Sequence, residues 1–434
     1  MNYRVQGGKV LSGTVQTNVS KNAAVALLAA SLLNRGETVL KRMPRIEEVK
    51  RLIEVMTSIG VTVLWDPSGD MRITPPERID LTNLNVEAAQ KTRSIALFIA
   101  PLAHLLGTFD LPAPKGCNLG KRSLGSHIDA LARLGIIVEG NEEAHTYHVE
   151  CNDMKPAEII MYEASDTGVE NVLMAAARIP GITTIKFASA NYMVQDLCVF
   201  LRNCGVQIDG IGTATLTVHG LSDINSEVHG YPSEDPIESM FFISLAATTG
   251  SEITITRCPI DFLELELFTL GHMGLQYEFG ERYASENGHT VLRDITIKKS
   301  ELHAPPDKIA PRPYPGINID NLPYFVPVAT QAKGETLVHD WVYDGRAHYY
   351  TMMNQLGANV ELLDPHRAVI KGPTPLHACD ITAPPAFRPA SILLIGMLAA
   401  EGESTLFDVY PINRGYENLH ERLKALGAAI EAVE

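Results

Sequence analysis

The chain has 434 residues, of which 45% are hydrophobic and 20% are charged, a balance typical of folded globular proteins. This length favours two domains over one. The net charge of −15 excludes a general nucleic-acid binder, because such proteins usually carry the opposite sign, and any site for an anionic substrate must concentrate positive charge locally.

The N-terminus gives no sign of export or membrane insertion. Its first ten residues lack the apolar core of a signal peptide. The apolar stretch 96–106 is interrupted by Pro101 and His104 and is too short to span a bilayer. We therefore expect a cytoplasmic protein. Its cysteines form no CxxC metal pattern and are predicted to be reduced thiols; they are Cys117, Cys151, Cys198, Cys204, Cys258 and Cys379.

A motif of two parts recurs six times along the chain. Its first part is a glycine followed by a β-prone run, at Gly36, Gly107, Gly181, Gly250, Gly334 and Gly402. Its second part is an apolar residue and a glycine before another short β-prone run, at Ile59-Gly60, Leu134-Gly135, Cys204-Gly205, Met273-Gly274, Leu356-Gly357 and Leu426-Gly427. Six ordered pairs at similar spacing indicate a repeated unit of about 70 residues.

Each repeat predicts a helix, a strand, a second helix and a second strand. Apolar residues recur at helical spacing before the first glycine, as in 23–33 and 391–400, and a glycine with positive φ can end a helix. The second helix ends at the apolar–Gly pair, as in 46–59 and 416–426. The chain is therefore predicted to be an α/β protein.

Six repeats predict two domains of three α/β units each. The stretch from Ser222 to Pro236, rich in Ser, Asp, Gly and Pro, is the best candidate for the linker between them. The strand-like segment from Tyr3 to Val15 precedes the first repeat and has no partner there, so we expect it to join the second domain. The expected boundaries are residues 21–229 for the first domain, and residues 1–20 with 230–434 for the second.

Two basic segments are candidates for an anion site. Lys21 begins an Ala-rich helix, whose N-terminus reinforces its charge, although a lysine at such a position is usually an ordinary solvated residue. Cys117 lies in a loop rich in Gly and Pro with Lys115, Lys121 and Arg122, and nearby cations favour a thiolate. The alternative for Cys117 is a small loop residue, because reactivity also requires exposure.

Asp320 lies in the segment Pro315-Gly-Ile-Asn-Ile-Asp-Asn-Leu-Pro323. An Asp between prolines is usually a turn residue, but it would be a general base if it lay near a substrate hydroxyl. Cys198 and Cys204, by contrast, belong to an apolar helical stretch and are predicted to be core residues.

Together these segments resemble the UDP-N-acetylglucosamine 1-carboxyvinyltransferases of peptidoglycan synthesis. The resemblance covers nearly the whole chain, and the shikimate-pathway branch of the same superfamily lacks the Cys loop. The family fold is two inside-out α/β barrels of three units each, which agrees with the repeat. The matching segments are Lys21-Asn-Ala23, Lys91-Thr-Arg-Ser94, Gly116-Cys-x-x-Gly-x-Arg122, Tyr343-Asp-Gly-Arg346 and Arg414-Gly-Tyr-Glu417.

The resemblance implies an enzyme that transfers the enolpyruvyl group of phosphoenolpyruvate to an acceptor hydroxyl and releases phosphate, without a metal or organic cofactor. It assigns phosphoenolpyruvate binding to Lys21, Arg122 and Arg414, whose charges suit a trianion. Cys117 would donate a proton to the methylene carbon, and Asp320 would accept the proton of the acceptor. Lys21, Cys117 and Asp320 are thus the expected catalytic residues. Further matches near the acceptor or elsewhere in the active site are Asn22, Arg93, Ser165, Arg346, His127 and Arg388.

The acceptor side departs from the family pattern. Glu163 stands where the resemblance implies a Lys near a diphosphate, and an acidic residue would repel that group. Gly125 lies in a run that helps to grip uracil in the family, and Ala386 lies where the family has an active-site Asp.

Two acceptors therefore remain open. One is the 3-hydroxyl of UDP-N-acetylglucosamine. The other is the 3′-hydroxyl of UMP, as in nikkomycin- and polyoxin-type nucleoside antibiotic pathways, which the loss of a diphosphate-binding Lys favours. A third hypothesis, a non-catalytic binding paralogue, is disfavoured because the expected donor-side and catalytic residues are all present. The expected partners are phosphoenolpyruvate and a uridine nucleotide, with no nucleic acid or membrane, and the expected state is a monomer or weak oligomer.

Overall fold

The computed structural model describes residues 1–114, 124–141 and 143–434. Within these ranges the chain forms 22 strands, 13 α-helices and four 3-10 helices. No helix in this described part is long and apolar enough to cross a membrane. The predicted site residues Cys117 and Arg122 lie outside the described residues.

The strands are short and are distributed along the whole chain. In chain order they are β1 (Asn2–Gly7), β2 (Ser12–Gln16), β3 (Thr38–Leu40), β4 (Thr62–Trp65), β5 (Met71–Thr74), β6 (Phe109–Pro112), β7 (Ile136–Asn141), β8 (Thr146–Cys151), β9 (Glu158–Ile160), β10 (Gly181–Lys186), β11 (Gln207–Asp209), β12 (Thr215–Gly220), β13 (Val228–Gly230), β14 (Glu252–Cys258), β15 (Gln276–Ala284), β16 (Val291–Lys298), β17 (Gly334–His339), β18 (Asn359–Asp364), β19 (Arg367–Gly372), β20 (Ile381–Thr382), β21 (Gly402–Phe407) and β22 (Ala429–Val433).

The helices alternate with these strands. The α-helices are α1 (Lys21–Ser31), α2 (Glu47–Ser58), α3 (Val86–Gln90), α4 (Ile99–Leu106), α5 (Gly125–Arg133), α6 (Asp166–Ala177), α7 (Tyr192–Asn203), α8 (Pro236–Thr249), α9 (Glu264–His272), α10 (Phe325–Gln331), α11 (Phe387–Ala399), α12 (Tyr410–Asn413) and α13 (Leu419–Ala425). The 3-10 helices are Arg93–Phe98, Ile260–Phe262, Leu322–Tyr324 and Arg346–Leu356.

Six sheets repeat one pattern of three antiparallel strands. Each sheet contains one such triplet. Its outer strands are the one that follows the first glycine of the repeat and the one that follows the apolar residue and glycine. Both are hydrogen-bonded to a middle strand that lies between them. The triplets are β3-β5-β4, β6-β8-β7, β10-β12-β11, β14-β16-β15, β17-β19-β18 and β21-β1-β22. The predicted α/β repeat is confirmed, but the middle strands β5, β8, β12, β16 and β19 were not predicted. The sixth middle strand, β1, lies within the strand-like segment predicted from Tyr3 to Val15.

The sixth triplet takes its middle strand from the N-terminus. Tyr3 in β1 lies opposite Leu406 of β21 on one side and Ala432 of β22 on the other. The segment predicted as one strand is in fact two, and β2 pairs in parallel with β14 through Val15 and Ile255. The N-terminal residues thus complete two sheets built from the C-terminal half of the chain.

The first helix of most repeats is buried on nearly all sides, as in α1, α6, α8 and α11, and a helix that is apolar all round belongs in a core. The sheets alternate buried and exposed residues, as β1 does. Helices lie inside and sheets outside, which confirms the predicted inside-out arrangement. The second helices end at the apolar–Gly pairs, where Gly135 adopts φ 88° and a Cβ would meet Asn152 O at 2.7 Å.

The described residues divide into two compact units. The first unit comprises residues 19–114, 124–141 and 143–233, and the second unit comprises residues 1–18 and 234–434. Three strand triplets belong to each unit. The division between the units, after residue 233, falls within the expected linker 222–236, and part of that stretch forms β13, which pairs in parallel with β3. Cys198 and Cys204 are buried, as predicted.

Candidate active site

Many of the predicted site residues lie where the first helices of the repeats begin. Lys21 begins α1, Ser165 caps α6 and Arg388 is in the first turn of α11. Arg93 begins the 3-10 helix that leads into α4, and Asp320 precedes the 3-10 helix that leads into α10. Because helix N-termini carry unsatisfied N–H groups and partial positive charge, these positions favour anionic ligands.

Asp320 lies between two buried arginines of the second unit. Its Oδ2 atom accepts a hydrogen bond from Arg388 Nη2 at 3.3 Å, and its Oδ1 atom lies 3.9 Å from Arg346 Nη1. Arg388 and Arg346 are only 6% and 1% exposed, whereas the Asp320 side chain is 26% exposed. The two guanidinium groups stabilise the ionised carboxylate, and its exposed part remains accessible to a ligand.

Arg346 is fixed in place by a buried network. Its Nε atom donates to Asp340 Oδ2, which also accepts from the Tyr350 hydroxyl, and its Nη2 atom donates to Ile319 O at 2.7 Å. Burial alone would lower the pKa of Arg346, but Tyr350 and Asp340 raise it above its ordinary value. A buried charge needs such partners, so Arg346 is a fixed cation beside Asp320.

Arg388 is joined to the Arg414 segment by an aromatic contact. The Arg388 guanidinium lies 4.1 Å from the centroid of the Phe387 ring, and that ring meets Tyr416 at a centroid distance of 4.7 Å. Arg414 follows α12, two residues before Tyr416. The structure therefore brings Asp320, Arg346 and Arg388 together and connects Arg414 to them through Phe387 and Tyr416.

In the first unit, the N-terminus of α1 presents Lys21 and Asn22. Ser20 caps this helix: its Oγ atom accepts from the N–H groups of Asn22 (3.1 Å) and Ala23 (3.3 Å) and donates to the Tyr192 hydroxyl at 2.9 Å. This cap fixes the conformation of the first turn of α1, which carries Lys21.

A buried carboxyl group, Glu170, lies within electrostatic range of Lys21. Burial, followed by the charges of Asp166 and Asp196, raises the pKa of Glu170 well above its ordinary value, and Lys21 opposes the shift. The raised pKa favours the neutral form of Glu170, which offers Lys21 less negative charge than an ionised glutamate would.

His127 forms a second group in the first unit with Arg93. Burial, with a smaller effect of Arg93, lowers the pKa of His127 to about 4, so its imidazole is neutral near pH 7. Asn171 Nδ2 donates to His127 Nδ1 at 3.1 Å, which leaves the ring hydrogen on Nε2, 3.3 Å from Thr167 Oγ1. His127 is buried and both of its ring nitrogens contact protein groups, so it is a neutral, oriented residue of this part of the first unit rather than a carrier of charge.

Glu163, at the position where the resemblance implies a Lys, contacts the first turn of α5. Ser126 Oγ donates to Glu163 Oε1 at 3.0 Å. Glu163 is exposed and therefore keeps a carboxylate oxygen at the surface close to the turn that carries His127. This position presents an acceptor of hydrogen bonds, where a Lys would present a cation.

Several residues that contribute to the site were missed by the sequence reasoning. Asp340 binds Arg346, and Tyr350 binds Asp340. Neither residue belongs to a sequence motif, so the sequence alone could not identify them. No group of three or more His, Cys, Asp or Glu side chains in the described ranges is arranged to hold a metal ion.

Comparisons with known proteins agree with this architecture. The model of the EPSP synthase (3-phosphoshikimate 1-carboxyvinyltransferase) family matches residues 5–423. The UDP-N-acetylglucosamine 1-carboxyvinyltransferase of Thermobifida fusca is 32% identical over 99% of this chain and 97% of that relative. The enzyme of the same name from Treponema denticola is 33% identical over 100% of this chain and 99% of the relative.

Solved structures share the fold at lower sequence identity. The enolpyruvyl transferase NikO from Streptomyces tendae superposes with a TM-score of 0.85 at 22% identity, covering 99% of this chain and 98% of that chain. EPSP synthase from Acinetobacter baumannii gives a TM-score of 0.72 at 16% identity over the full length of both chains. The chain therefore belongs to the EPSP synthase (3-phosphoshikimate 1-carboxyvinyltransferase) family and is an enolpyruvyl transferase.

Proposed function

We propose that this enzyme transfers the enolpyruvyl group of phosphoenolpyruvate to a hydroxyl of a uridine nucleotide, with the 3-hydroxyl of UDP-N-acetylglucosamine as the first candidate. The proposal draws on the names of the relatives that match over the full chain length. The geometry that supports it best is Asp320, a partly exposed carboxyl group that lies between Arg388 and Arg346.

In the proposed reaction, the acceptor oxygen adds to the central carbon of phosphoenolpyruvate. Asp320 takes the hydroxyl proton, and the Cys117 thiol gives a proton to the methylene carbon. The bond from the central carbon to the phosphate oxygen then breaks as the phosphate takes up the proton held by Asp320, and the methyl carbon returns a proton to the Cys117 thiolate, which restores the double bond. The products are the enolpyruvyl ether and inorganic phosphate, and no electrons are gained or lost.

The basic residues act on the donor. Lys21, Arg122 and Arg414 bind the carboxylate and phosphate of phosphoenolpyruvate, and arginine suits both groups because it binds them in bidentate fashion. Arg388 stabilises charge that develops on the departing phosphate.

On the acceptor side, Asn22, Arg93 and Ser165 bind the nucleotide, and Arg346 fixes Asp320 beside the reacting hydroxyl. His127 contributes a neutral imidazole, because burial and Arg93 hold its pKa at about 4.

A second candidate acceptor is the 3′-hydroxyl of UMP. The contact between Ser126 and Glu163 favours it, because Glu163 presents a carboxylate where the resemblance implies a lysine that binds a diphosphate.

Phosphate release from phosphoenolpyruvate distinguishes these candidates. The purified protein is incubated with phosphoenolpyruvate and UDP-N-acetylglucosamine, UMP or no acceptor, and both phosphate and the enolpyruvyl product are measured. Turnover with UDP-N-acetylglucosamine supports the first candidate, and turnover with UMP alone eliminates it. Absence of turnover with both acceptors refutes the proposed acceptor class.

A further inference from the structure

A buried glutamate of the second unit contacts the turn that carries Asp320. Glu266 lies in the first turn of α9 and is 2% exposed. Its Oε1 atom accepts from the backbone N–H of Asn318 at 2.9 Å and from Asn321 Nδ2 at 2.8 Å. Both bonds go to residues that flank Asp320 within two positions.

Two further hydrogen bonds fix the turn formed by residues 318–321. Arg346 Nη2 donates to Ile319 O at 2.7 Å, and the Asp320 N–H donates to Asn318 Oδ1 at 2.9 Å. Each residue from Asn318 to Asn321 is therefore fixed by at least one hydrogen bond that involves a side chain. Asp320 has little freedom to move except about its own side-chain torsions.

The first unit contains the same arrangement. Glu48 of α2 is 2% exposed, and its Oε1 atom accepts from Ser94 Oγ at 2.9 Å and from Thr92 Oγ1. These two residues flank Arg93. In both units, therefore, a buried glutamate from the second helix of one repeat binds the turn that precedes the first helix of the next repeat. Each of these turns carries a predicted site residue.

Burying a carboxyl group is costly unless it is hydrogen-bonded, and an apolar residue could fill the same space. We propose that Glu266 and Glu48 are positioning residues, which fix Asp320 for proton transfer and Arg93 for acceptor binding, respectively. This inference rests on the proposed function for its kinetic consequences, but its structural consequence, order in the two turns, does not depend on that function.

The test compares Glu266→Met, Glu266→Gln and Glu48→Met with the wild-type chain. Met preserves approximate volume but removes the acceptor oxygen, whereas Gln retains it. The control is Asn34→Leu, because Asn34 is fully buried and likewise binds a turn, through Gly36 and Ser226, beyond the C-terminal end of α1. Hydrogen–deuterium exchange of peptides covering 316–322 and 90–96 is measured with kcat and the KM values of both substrates.

We expect Glu266→Met to speed exchange at 316–322 and to lower kcat about 10- to 100-fold, with KM for phosphoenolpyruvate changed less than about threefold. Glu266→Gln should restore most of kcat and slow exchange again. Glu48→Met should speed exchange at 90–96 and raise KM for the acceptor about tenfold. Asn34→Leu should lower the melting temperature but leave both turns and all kinetic constants as in the wild type.

Unchanged exchange at 316–322 in Glu266→Met would overturn the inference, as would equal effects of Glu266→Met and Asn34→Leu on kcat. Should Glu266→Met not fold, Asn321→Leu removes one of the two bonds and must produce the same changes to a smaller degree. If the wild-type protein turns over neither acceptor, the proposed function fails, and the exchange data alone decide whether the glutamates order the turns.

Discussion

The ring of Phe387 occupies the space that any side chain at position 415 would need: a Cβ on Gly415 would lie 2.1 Å from Phe387 Cε1. The same ring contacts Tyr416 and lies beneath the guanidinium of Arg388. Phe387 thus couples the first turn of α11 to the segment that carries Arg414. The Gly in Arg-Gly-Tyr-Glu is therefore required by packing against this ring.

Gly415→Ala should therefore impair substrate binding by displacing its neighbours. The clash with a ring is expected to cost about 1–3 kcal/mol of stability, and displacement of Arg414 should raise KM for phosphoenolpyruvate about tenfold. Steady-state kinetics and thermal unfolding measure the two effects.

The matched control is Gly140→Ala, since a Cβ there has no atom within 4 Å. The double variant Phe387→Leu with Gly415→Ala should recover part of the lost stability. A Gly415→Ala enzyme with unchanged KM would contradict the link to Arg414.

Asp320→Asn should suppress turnover far more than donor binding. The amide cannot accept the hydroxyl proton, so we expect kcat to fall at least about 100-fold, while the dissociation constant of phosphoenolpyruvate changes less than about fivefold. Calorimetric titration with phosphoenolpyruvate and phosphate-release kinetics provide the two numbers. Equal losses in binding and turnover would reject the assignment of Asp320 as the base.

The fold was largely predictable because glycines mark the same two positions in each repeat. The apolar–Gly pairs identified the ends of the second helices, where Gly135 and its equivalents adopt positive φ. Five of the six middle strands were missed because they carry no glycine signal. The sixth, β1, was expected as a strand, but its two partner strands lie at the other end of the chain. Strand pairing between residues as distant as Tyr3 and Leu406 is set by tertiary packing, which local patterns do not encode.

The site was predictable only where a motif was available. The resemblance identified Asp320, Arg346 and Arg388, and these lie together. Glu266 was missed because an acidic residue in the first turn of a helix ordinarily indicates a solvated residue near the helix dipole. Its burial depends on where the turn 318–321 packs, which cannot be read from sequence spacing. Phe387 follows Ala386, where the resemblance implies an active-site Asp, but its contact with Gly415 depends on the three-dimensional structure.

Glu163→Lys should shift acceptor preference toward the diphosphate. The substitution removes a negative charge beside the α5 turn and adds a positive one, so kcat/KM for UDP-N-acetylglucosamine should rise relative to UMP by about tenfold. Competition assays with both acceptors measure the ratio directly. Glu158→Lys is a suitable control, because this exposed glutamate lies in an edge strand of the same unit. The same shift in both variants would indicate a general charge effect.

Fosfomycin, an epoxide that resembles phosphoenolpyruvate, should alkylate Cys117 and spare the buried thiols. Lys115, Lys121 and Arg122 flank Cys117 in sequence, and nearby cations favour the thiolate. Burial instead raises the pKa of Cys198, Cys204 and Cys258 to about 12, so these thiols stay protonated. Peptide mapping by mass spectrometry should place one adduct on Cys117. An adduct on any of the three buried thiols, or none on Cys117 at saturating inhibitor, would contradict this prediction.

The stability of the second unit should depend on pH through Glu266. Burial raises the pKa of this carboxyl group to about 7, although the bonds from Asn321 and Asn318 oppose the shift. Because the folded-state pKa lies above the unfolded value, the favourable contribution of the protonated group is fully present below about pH 4.5 and is lost as the pH rises to about 7. The loss amounts to at most about 3 kcal/mol.

Glu266→Gln removes this titration while keeping an oxygen that accepts hydrogen bonds. The free energy of unfolding of the variant, relative to the wild type, should therefore increase from about pH 4.5 to about pH 7 and stay constant above it. Urea unfolding should be followed in a Trp65→Phe background, because the chain has two tryptophans and the remaining Trp341 belongs to the second unit. A local probe is needed since a chain of two units need not unfold in one step. Parallel pH profiles of the two proteins would show that Glu266 does not titrate in this range, and its carboxylate would then be ionised throughout.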